Sequence, residues 1–179
     1  MLTDLSGQIE RITFTNEESG FTIAKVKVQG KRDLVTVVGN LMEPMPGEII
    51  DMRGEWAHHP KYGKQFKVTQ FKTKVPATVY GIQKYLGSGL IKGLGPAMAG
   101  RIVDRFGEDT LNIIENQIDR LAEVKGIAEK SIAKIAKAWD AQKEIRDVMI
   151  FLQSHGVSSG YASKIFKRYG DRSIAVVKQ

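Results

Sequence analysis

The second half of the chain repeats one short pattern, a glycine-containing turn that leads into an amphipathic helix. The string GLGPAMAGRIVDRFGEDTLNII from Gly93 aligns with GVSSGYASKIFKRYGDRSIAVV from Gly156. A weaker copy, GIAEKSIAKI, begins at Gly126. Units that recur in this way bury their apolar faces against neighbouring copies. The repeats therefore predict three helical hairpins, with turns near residues 93–95, 126–128 and 156–158.

The first copy places two glycines around one apolar residue, directly before a helix. We expect Gly93 and Gly95 to allow positive φ and close approach of a ligand, and Leu94 to fill the local core. Proline suits the first helical turn, where its missing N–H breaks no hydrogen bond. The open N–H groups of such a helix start, next to basic side chains, suit a phosphate oxygen. The candidate contacts are Lys92, Gly93, Leu94, Gly95, Pro96 and Arg101.

A single glycine turn is usually only a connection between helices, but three copies in register on a basic chain favour DNA or RNA binding. The second copy has Ala128 and the third has Ser158 where a second glycine is expected. We therefore rank the first hairpin as the main contact, with the others binding more weakly or only completing the core. Their candidate residues are Lys125, Gly126, Ile127, Ala128 and Lys130 in the second hairpin, and Gly156, Val157, Ser158, Ser159 and Lys164 in the third.

The first part of the chain is predicted to form β-structure, because short stretches rich in β-branched and aromatic residues alternate with turn clusters. About five strands are expected, with a bulge near Ala24-Lys25 that would curve the sheet. Five short antiparallel strands fit an oligonucleotide-binding (OB) barrel. The predicted fold class is α+β with two domains, an OB-like barrel over 1–75 and an all-α helical-hairpin domain over 76–179. Helices are expected at 77–86, 96–106, 108–116, 129–153, 160–168 and from Ser173.

The charge distribution supports a polyanionic partner. The chain carries 27 Lys and Arg against 20 Asp and Glu, a net charge of +7, and such an excess favours nucleic acid. No acidic residue lies between Glu55 and Asp104, a window that holds eight cations. A solvated basic face is the alternative interpretation. We expect this window to form one continuous DNA-facing surface across both domains.

Aromatic and basic residues also alternate around the last hairpin of the predicted barrel, a mixture that lets bases stack while lysines follow the backbone. Trp56 and Phe66 are expected in the core, whereas contact and simple exposure remain open for Tyr62. His58 and His59 point to opposite faces of an extended segment, which argues against a shared metal. The possible barrel contacts are Lys61, Tyr62, Lys64 and Lys67.

No catalytic chemistry is expected from this chain. Zero cysteines and three histidines exclude thiolate sites and make a poor metal set. The string GPAMAGRI from Gly95 resembles a phosphate-binding loop, but Arg101 and Ile102 stand where that loop needs lysine and a hydroxyl. Trp139 is expected in the core.

No apolar run approaches the roughly 20 residues of a membrane span and no signal pattern is present, so a cytoplasmic location is predicted.

The helical repeats resemble helix-hairpin-helix units, a family of sequence-nonspecific DNA backbone binders. The ordered strings from Gly81, Arg120 and Met149 are also similar to the N-terminal region of RecD/TraA-like DNA helicases. That resemblance implies that the barrel and hairpins precede ATP-driven motor domains that translocate 5′ to 3′ on single-stranded DNA. ATP and magnesium would belong to those motor domains, and this chain is expected to need no cofactor. The chain is thus interpreted as a fragment of a longer protein.

The leading hypothesis is an accessory DNA-binding region of a helicase for repair or recombination, with DNA and the motor domains of the same protein as partners. A Holliday-junction recognition subunit, which joins the same two kinds of fold, is an alternative of the same class. A protein-docking module, in which the basic window contacts an acidic partner, is an alternative of a different class.

Overall fold

Residues 3–74 form a closed five-stranded barrel in the computed structural model, which describes residues 1–178 apart from the side chains of Asp171 and residues 176–178. The order around the barrel is β1-β2-β3-β5-β4, in which β3 and β5 run parallel and the other pairs are antiparallel. This closure confirms the predicted OB-like barrel. The strands are β1 (Thr3–Thr15), β2 (Phe21–Val28), β3 (Val35–Asn40), β4 (Ile49–His59) and β5 (Gly63–Lys74).

The irregularities that bend the sheet lie in β1 and in the β4–β5 pair, where the register shifts between Arg53 and Gly54, and not in β2. Two register shifts relative to β2 lie between residues 9 and 14 of β1. β2 alternates without interruption, and its buried residues are Thr22, Ala24, Val26 and Val28. The predicted bulge near Ala24-Lys25 is therefore wrong. The first inward residue of β2 is a threonine, whose hydroxyl donates to the carbonyl oxygen of Gly20. Because this inward residue is polar, the pattern of apolar residues alone does not show which side chains of β2 point into the barrel.

The rest of the described chain is helical. α1 begins after Thr78, whose hydroxyl accepts from the amide of Gly81, and a π-helical turn over Leu86–Leu90 follows it. Single 3₁₀ segments precede or link the later helices at Gly107–Asp109, Ile118–Glu123 and Gly170–Arg172. Within residues 1–178, no helix is long and apolar enough to cross a membrane. The helices are α1 (Val79–Tyr85), α2 (Pro96–Phe106), α3 (Thr110–Asn116), α4 (Glu129–Ser154), α5 (Ser159–Tyr169) and α6 (Ser173–Lys178).

The molecule has two hydrophobic clusters, and the cluster of the barrel includes residues from the helical half of the chain. The hairpin core contains α1, α2, α3 and the first half of α4. The barrel core contains the strand interior together with the second half of α4 and α5. Helix α4 joins the two, since Ile135 and Trp139 lie in the hairpin core whereas Met149 and Leu152 lie in the barrel core. The third hairpin therefore packs with the barrel.

Trp139 is buried as predicted, at 7% exposure. Its ring packs edge-on against Tyr85, with 6.5 Å between centroids, and its indole N–H donates to the carboxylate of Glu115. Lys143 also bonds that carboxylate at 2.5 Å. These hydrogen bonds, the one from Lys143 first, hold the pKa of Glu115 below its ordinary value. The indole thus contributes apolar area while its polar atom keeps a partner, as a buried tryptophan requires.

Side chains of α4 fasten this helix to the barrel loop before β4 and to β5. The amide of Gln142 donates to the carbonyl oxygen of Glu43 at 2.9 Å, and the side-chain oxygen of Gln153 accepts from the backbone amide of Phe71 at 2.9 Å. Buried polar groups that find partners in this way fix the geometry of an interface.

A buried ion pair lies in the same junction. Arg146 approaches Glu48 at 3.3 Å, and the two side chains are 9% and 1% exposed. The Glu48 carboxylate also accepts from the backbone amide of Met45 at 2.6 Å. Burial outweighs these favourable contacts and raises the pKa of Glu48 to about 7, because removal from water disfavours the charged form.

Candidate nucleic-acid interface

The first glycine loop has an exposed backbone over a buried plug. Gly93 adopts φ of 89°, a left-handed conformation that favours glycine. Leu94 is buried at 7% exposure, and its amide donates to the carbonyl oxygen of Ile91 at 3.1 Å. A Cβ added at Gly93 or at Gly95 would meet no atom within 4 Å, so the outer side of the loop is open.

Gly95 does not adopt the positive φ that we expected. Its φ of −90° and ψ of −176° are extended and are open to any residue. Gly95 is the N-cap of α2 and its carbonyl oxygen accepts the first helical hydrogen bond, from Ala99. Among the described residues no side chain caps this helix, so the first-turn amides of Ala97 and Met98 remain directed out of its end.

The three loops share one backbone conformation, and the first glycine of each loop has a positive φ. Gly126 and Gly156 have φ of 95° and 84°. The next-but-one residues, Ala128 and Ser158, are extended N-caps like Gly95. The missing second glycine therefore leaves the loop conformation unchanged in the second and third hairpins.

The first and second loops lie side by side. A Cβ on Gly126 would come within 3.0 Å of the Met98 side chain and 3.3 Å of the Arg101 guanidinium. A small cavity of about 130 Å³ is lined by both loops, including Lys92, Gly93, Leu94, Gly126, Ile127 and Lys134. The structure therefore brings together predicted residues of two hairpins and adds Lys134, which we did not predict. Its position one helical turn into α4 was the available signal.

The cations around these two loops are unequally available. Lys92, Arg101, Lys125 and Lys130 are exposed, and within residues 1–178 neither Lys92 nor Arg101 forms an ion pair. Arg105, at the far end of α2, pairs instead with Glu123 at 2.5 Å. Hydrogen bonds from Arg120 and then Arg105 lower the pKa of Glu123.

The first turns of the hairpin helices also differ in charge and capping. The first turn of α2 carries no acidic residue, whereas that of α4 carries Glu129. The start of α5 is capped by Ser158, whose hydroxyl accepts from the amide of Tyr161 at 3.3 Å. An acidic side chain or an internal cap competes with a phosphate for the N–H groups of a helix start. The start of α2 is therefore the most open of the three to an anion.

The third loop lies against the barrel and apart from the first two. Val157 and Ala162 belong to the barrel core, and Ser159 is buried. A Cβ on Gly160 would lie 3.6 Å from the Asn40 side chain. Lys164 is exposed, and its ammonium lies 5.5 Å from the centre of the Tyr161 ring.

The tip of the β4–β5 hairpin presents an exposed aromatic ring. Tyr62 is 65% exposed, and its ring lies 4.8 Å from that of His59. The Nδ1 atom of His59 accepts from the backbone amides of Lys61 and Tyr62, at 3.0 and 3.1 Å. The histidine therefore fixes the turn that presents Tyr62.

Trp56 is covered by lysines at the barrel tip. It packs edge-on against the buried Phe66 at 5.1 Å, while the ammonium groups of Lys64 and Lys31 lie 4.4 and 5.1 Å from its ring centre. These are cation–π distances. Lys31 was missed because it stands in the turn between β2 and β3, far from this hairpin in sequence. Lys61, Lys64 and Lys67 are all exposed.

The acid-free window is less uniform in the structure than in the sequence. Carboxylates from outside it pair with two of its lysines, since Lys84 contacts Glu10 at 3.0 Å and Lys74 contacts Asp51 at 2.9 Å. Positive charge is therefore concentrated at the barrel tip and at the first two loops. The string from Gly95 that resembles a phosphate-binding loop runs into α2 and forms helix from Pro96 onward.

Three family models match the chain in order. A model described as the OB-fold domain of ATP-dependent DNA helicase YrrC matches residues 2–76. A SAM-like helix-hairpin-helix tandem matches residues 88–141, and the helix-hairpin-helix domain of ATP-dependent RecD2 DNA helicase matches residues 141–179. The last two ranges separate the first two hairpins from the third, as the hydrophobic clusters do.

A curated relative aligns with nearly the whole chain. The ATP-dependent RecD2 DNA helicase of Deinococcus radiodurans is 27% identical over 173 residues, covering 93% of this chain and 24% of the relative. The chain thus spans about a quarter of the length of this relative. Together with the family models, this match supports the assignment of the chain as the N-terminal OB and helix-hairpin-helix region of a RecD-like helicase, as the resemblance in the sequence implies.

Proposed function

Because the chain matches the OB-fold and helix-hairpin-helix regions of a RecD-like helicase, we propose that it is a sequence-nonspecific DNA-binding accessory region. The parent protein in this proposal is a 5′ to 3′ ATP-dependent helicase that acts in repair or recombination. ATP and magnesium belong in this proposal to motor domains outside the chain, and we place the protein in the cytoplasm. The observation that carries the proposal is the pair of adjacent glycine loops with unpaired cations beside them.

The first hairpin holds a backbone phosphate at the start of α2. The free amides of Ala97 and Met98 and the positive end of the helix dipole face that phosphate. Lys92 and Arg101 supply full charges on either side of the loop. Since these groups contact phosphate oxygens and not base edges, binding is independent of sequence.

The second hairpin holds a neighbouring stretch of backbone more weakly. Its helix start is uncapped, like that of α2, and Lys125 and Lys130 flank it. Glu129 in its first turn repels a phosphate, so its contribution is smaller. Contacts through the third loop, with Lys164, are weaker still because Ser158 already caps α5.

The barrel tip provides a second contact surface. Tyr62 offers an exposed ring, and Lys61, Lys64 and Lys67 place positive charge around it. Such a combination binds single-stranded nucleic acid by stacking and by backbone attraction.

The proposal is tested by reversing one charge at the first loop. Lys92→Glu should weaken DNA binding about tenfold and reduce the slope of log affinity against log salt by about one, because one phosphate contact is lost. The measurement is fluorescence anisotropy with a labelled oligonucleotide at several salt concentrations.

Arg168→Glu is the matched control, since it changes the net charge equally at the exposed far end of α5. Its salt slope should stay close to that of the unmodified chain. Equal binding by the Lys92→Glu variant and the unmodified chain would contradict the assignment of the first hairpin.

A further inference from the structure

A cleft lies between the barrel and the start of α2, on the side of the first hairpin that faces β1. Its volume is about 420 Å³, within the range of roughly 300–1,000 Å³ that small-molecule sites occupy. We call it the Tyr80 cleft; its lining includes Glu10, Tyr80, Gln83, Lys84, Ser88 and Pro96.

An aromatic ring and a proline ring line part of the cleft, among polar side chains. Tyr80 is 62% exposed, and the ammonium of Lys84 lies 5.6 Å from its ring centre. Pro96 also lines the cleft. An exposed aromatic ring beside a proline ring in a cleft of this size suits a planar, apolar ligand group.

The polar groups of the cleft discriminate between ligands by charge. The Glu10 carboxylate accepts from Lys84 at 3.0 Å and from the Tyr80 hydroxyl at 3.4 Å. Partial burial lowers the pKa of Lys84, but the bond to Glu10 and its attraction outweigh that effect and raise it. The ion pair neutralises both charges, so the cleft offers a phosphate no free cation. The carboxylate oxygens can still accept from amino groups such as those on the edges of nucleobases. The cleft therefore suits a base better than a phosphate.

The cleft and the phosphate position share Pro96, the first residue of α2. A nucleotide whose phosphate is held at that helix start can therefore reach the Tyr80 cleft with its base. We infer that the Tyr80 cleft binds an unpaired nucleobase, stacked on Tyr80, of the strand whose backbone the first hairpin holds. This inference rests on the proposed function and specifies its substrate as DNA with at least one unpaired nucleotide.

Unpaired DNA is required because the faces of a base inside a duplex are already stacked. Removing a base from a duplex costs free energy, whereas a single strand or a frayed fork presents it at little cost. A region with this cleft therefore prefers single-stranded or forked DNA over a closed duplex of the same length.

The test compares two single strands of equal length and charge, one of mixed sequence and one that lacks all bases. We expect Tyr80→Ala to lower the preference for the base-bearing strand about fivefold or more, as loss of one stacking contact does. Affinity for the abasic strand and the salt slope should not change. Tyr80→Phe, which keeps the ring, should retain most of the preference. Anisotropy titrations of each variant with both strands measure these affinities.

Tyr161→Ala is the control, because Tyr161 is equally exposed at 67% but lies on the third hairpin. It should leave the preference unchanged. The inference is overturned if the Tyr80→Ala variant keeps the full preference, or if Tyr161→Ala reduces it as much. The proposed function fails separately, when Lys92→Glu leaves the affinity for both strands unaltered.

Discussion

Gly93 and Gly156 occupy the same position in two copies of one pattern, and their φ values of 89° and 84° agree closely. Their hairpins nevertheless lie in different surroundings. The first packs with the second hairpin in a helical core of its own and leaves its loop open. The third packs on the barrel and caps its own helix with Ser158.

The comparison separates what a repeat encodes locally from what it encodes at long range. The glycine and the following extended N-cap produce the loop in every copy, whatever surrounds it. The surface against which each hairpin packs is determined by the apolar residues on its helices. Helix α4 carries two sets of apolar residues, one in each core. A shared motif therefore does not imply a shared role.

The largest expected effect comes from truncating a residue of the barrel core that belongs to the helical half of the chain. Leu152 is fully buried there, next to the third loop. Leu152→Ala should lower the free energy of unfolding of the barrel by about 3–5 kcal/mol, since it leaves a cavity. Trp56, in a variant with Trp139→Phe, reports the barrel by its fluorescence during denaturant unfolding.

Ile102→Ala is the matched truncation in the hairpin core, where Ile102 is also fully buried. It should shift the transition seen by Trp139 in a Trp56→Phe background. The division into two cores is contradicted if Leu152→Ala shifts the Trp139 transition and leaves the Trp56 transition in place.

The next effect concerns the buried pair that joins the two cores. The pKa of Glu48 is about 7 in the folded chain, above the roughly 4.3 of an unfolded glutamate. The folded state therefore binds more protons between these values, and its stability falls as pH rises from about 4.5 to 7. The loss from this group should reach up to about 3 kcal/mol.

Glu48→Gln removes the titrating group while keeping its shape. We expect its stability relative to the unmodified chain to rise with pH over this window, measured by urea unfolding at several pH values. Glu55→Gln is the control, since Glu55 is exposed on β4. Parallel stability profiles for the Glu48→Gln variant and the unmodified chain would show that burial does not dominate the pKa of this carboxyl.

Much of the fold could be predicted because its signals are local. Alternating β-branched residues predicted the strands, and the glycine turns predicted α2, α4 and α5 close to their observed bounds. The buried position of Trp139 followed from helical spacing. The positive φ of the first glycine in each loop could also be predicted, because it depends only on the local turn.

The remaining features depend on contacts between distant segments. Nothing near Gly160 in the sequence indicates that Asn40 lies beside it, and nothing near Trp56 indicates Lys31. The pairing of Lys84 with Glu10 likewise neutralises a charge of the acid-free window, because β1 lies beside α1. The expected positive φ of Gly95 failed for another reason: an extended N-cap suits glycine, alanine and serine alike.

The smallest expected effect transfers the cap of the third hairpin to the first. Gly95→Ser should place a hydroxyl where it accepts from the amide of Met98, as Ser158 does for Tyr161. Helix stability should rise by only a few tenths of a kcal/mol. DNA affinity should fall about threefold, because one amide is no longer free for a phosphate and a hydrogen bond is worth roughly 0.5–1.5 kcal/mol.

Gly95→Ala distinguishes a blocked amide from simple bulk. Alanine fits the extended backbone, as Ala128 shows in the second hairpin, and the space around Gly95 is open. The alanine variant should therefore bind DNA like the unmodified chain in the same anisotropy titration. If alanine weakens binding as much as serine does, close backbone approach is what the first loop requires. Ala128 would then exclude a phosphate from the second loop, and the first hairpin would hold the DNA backbone without help from its neighbour.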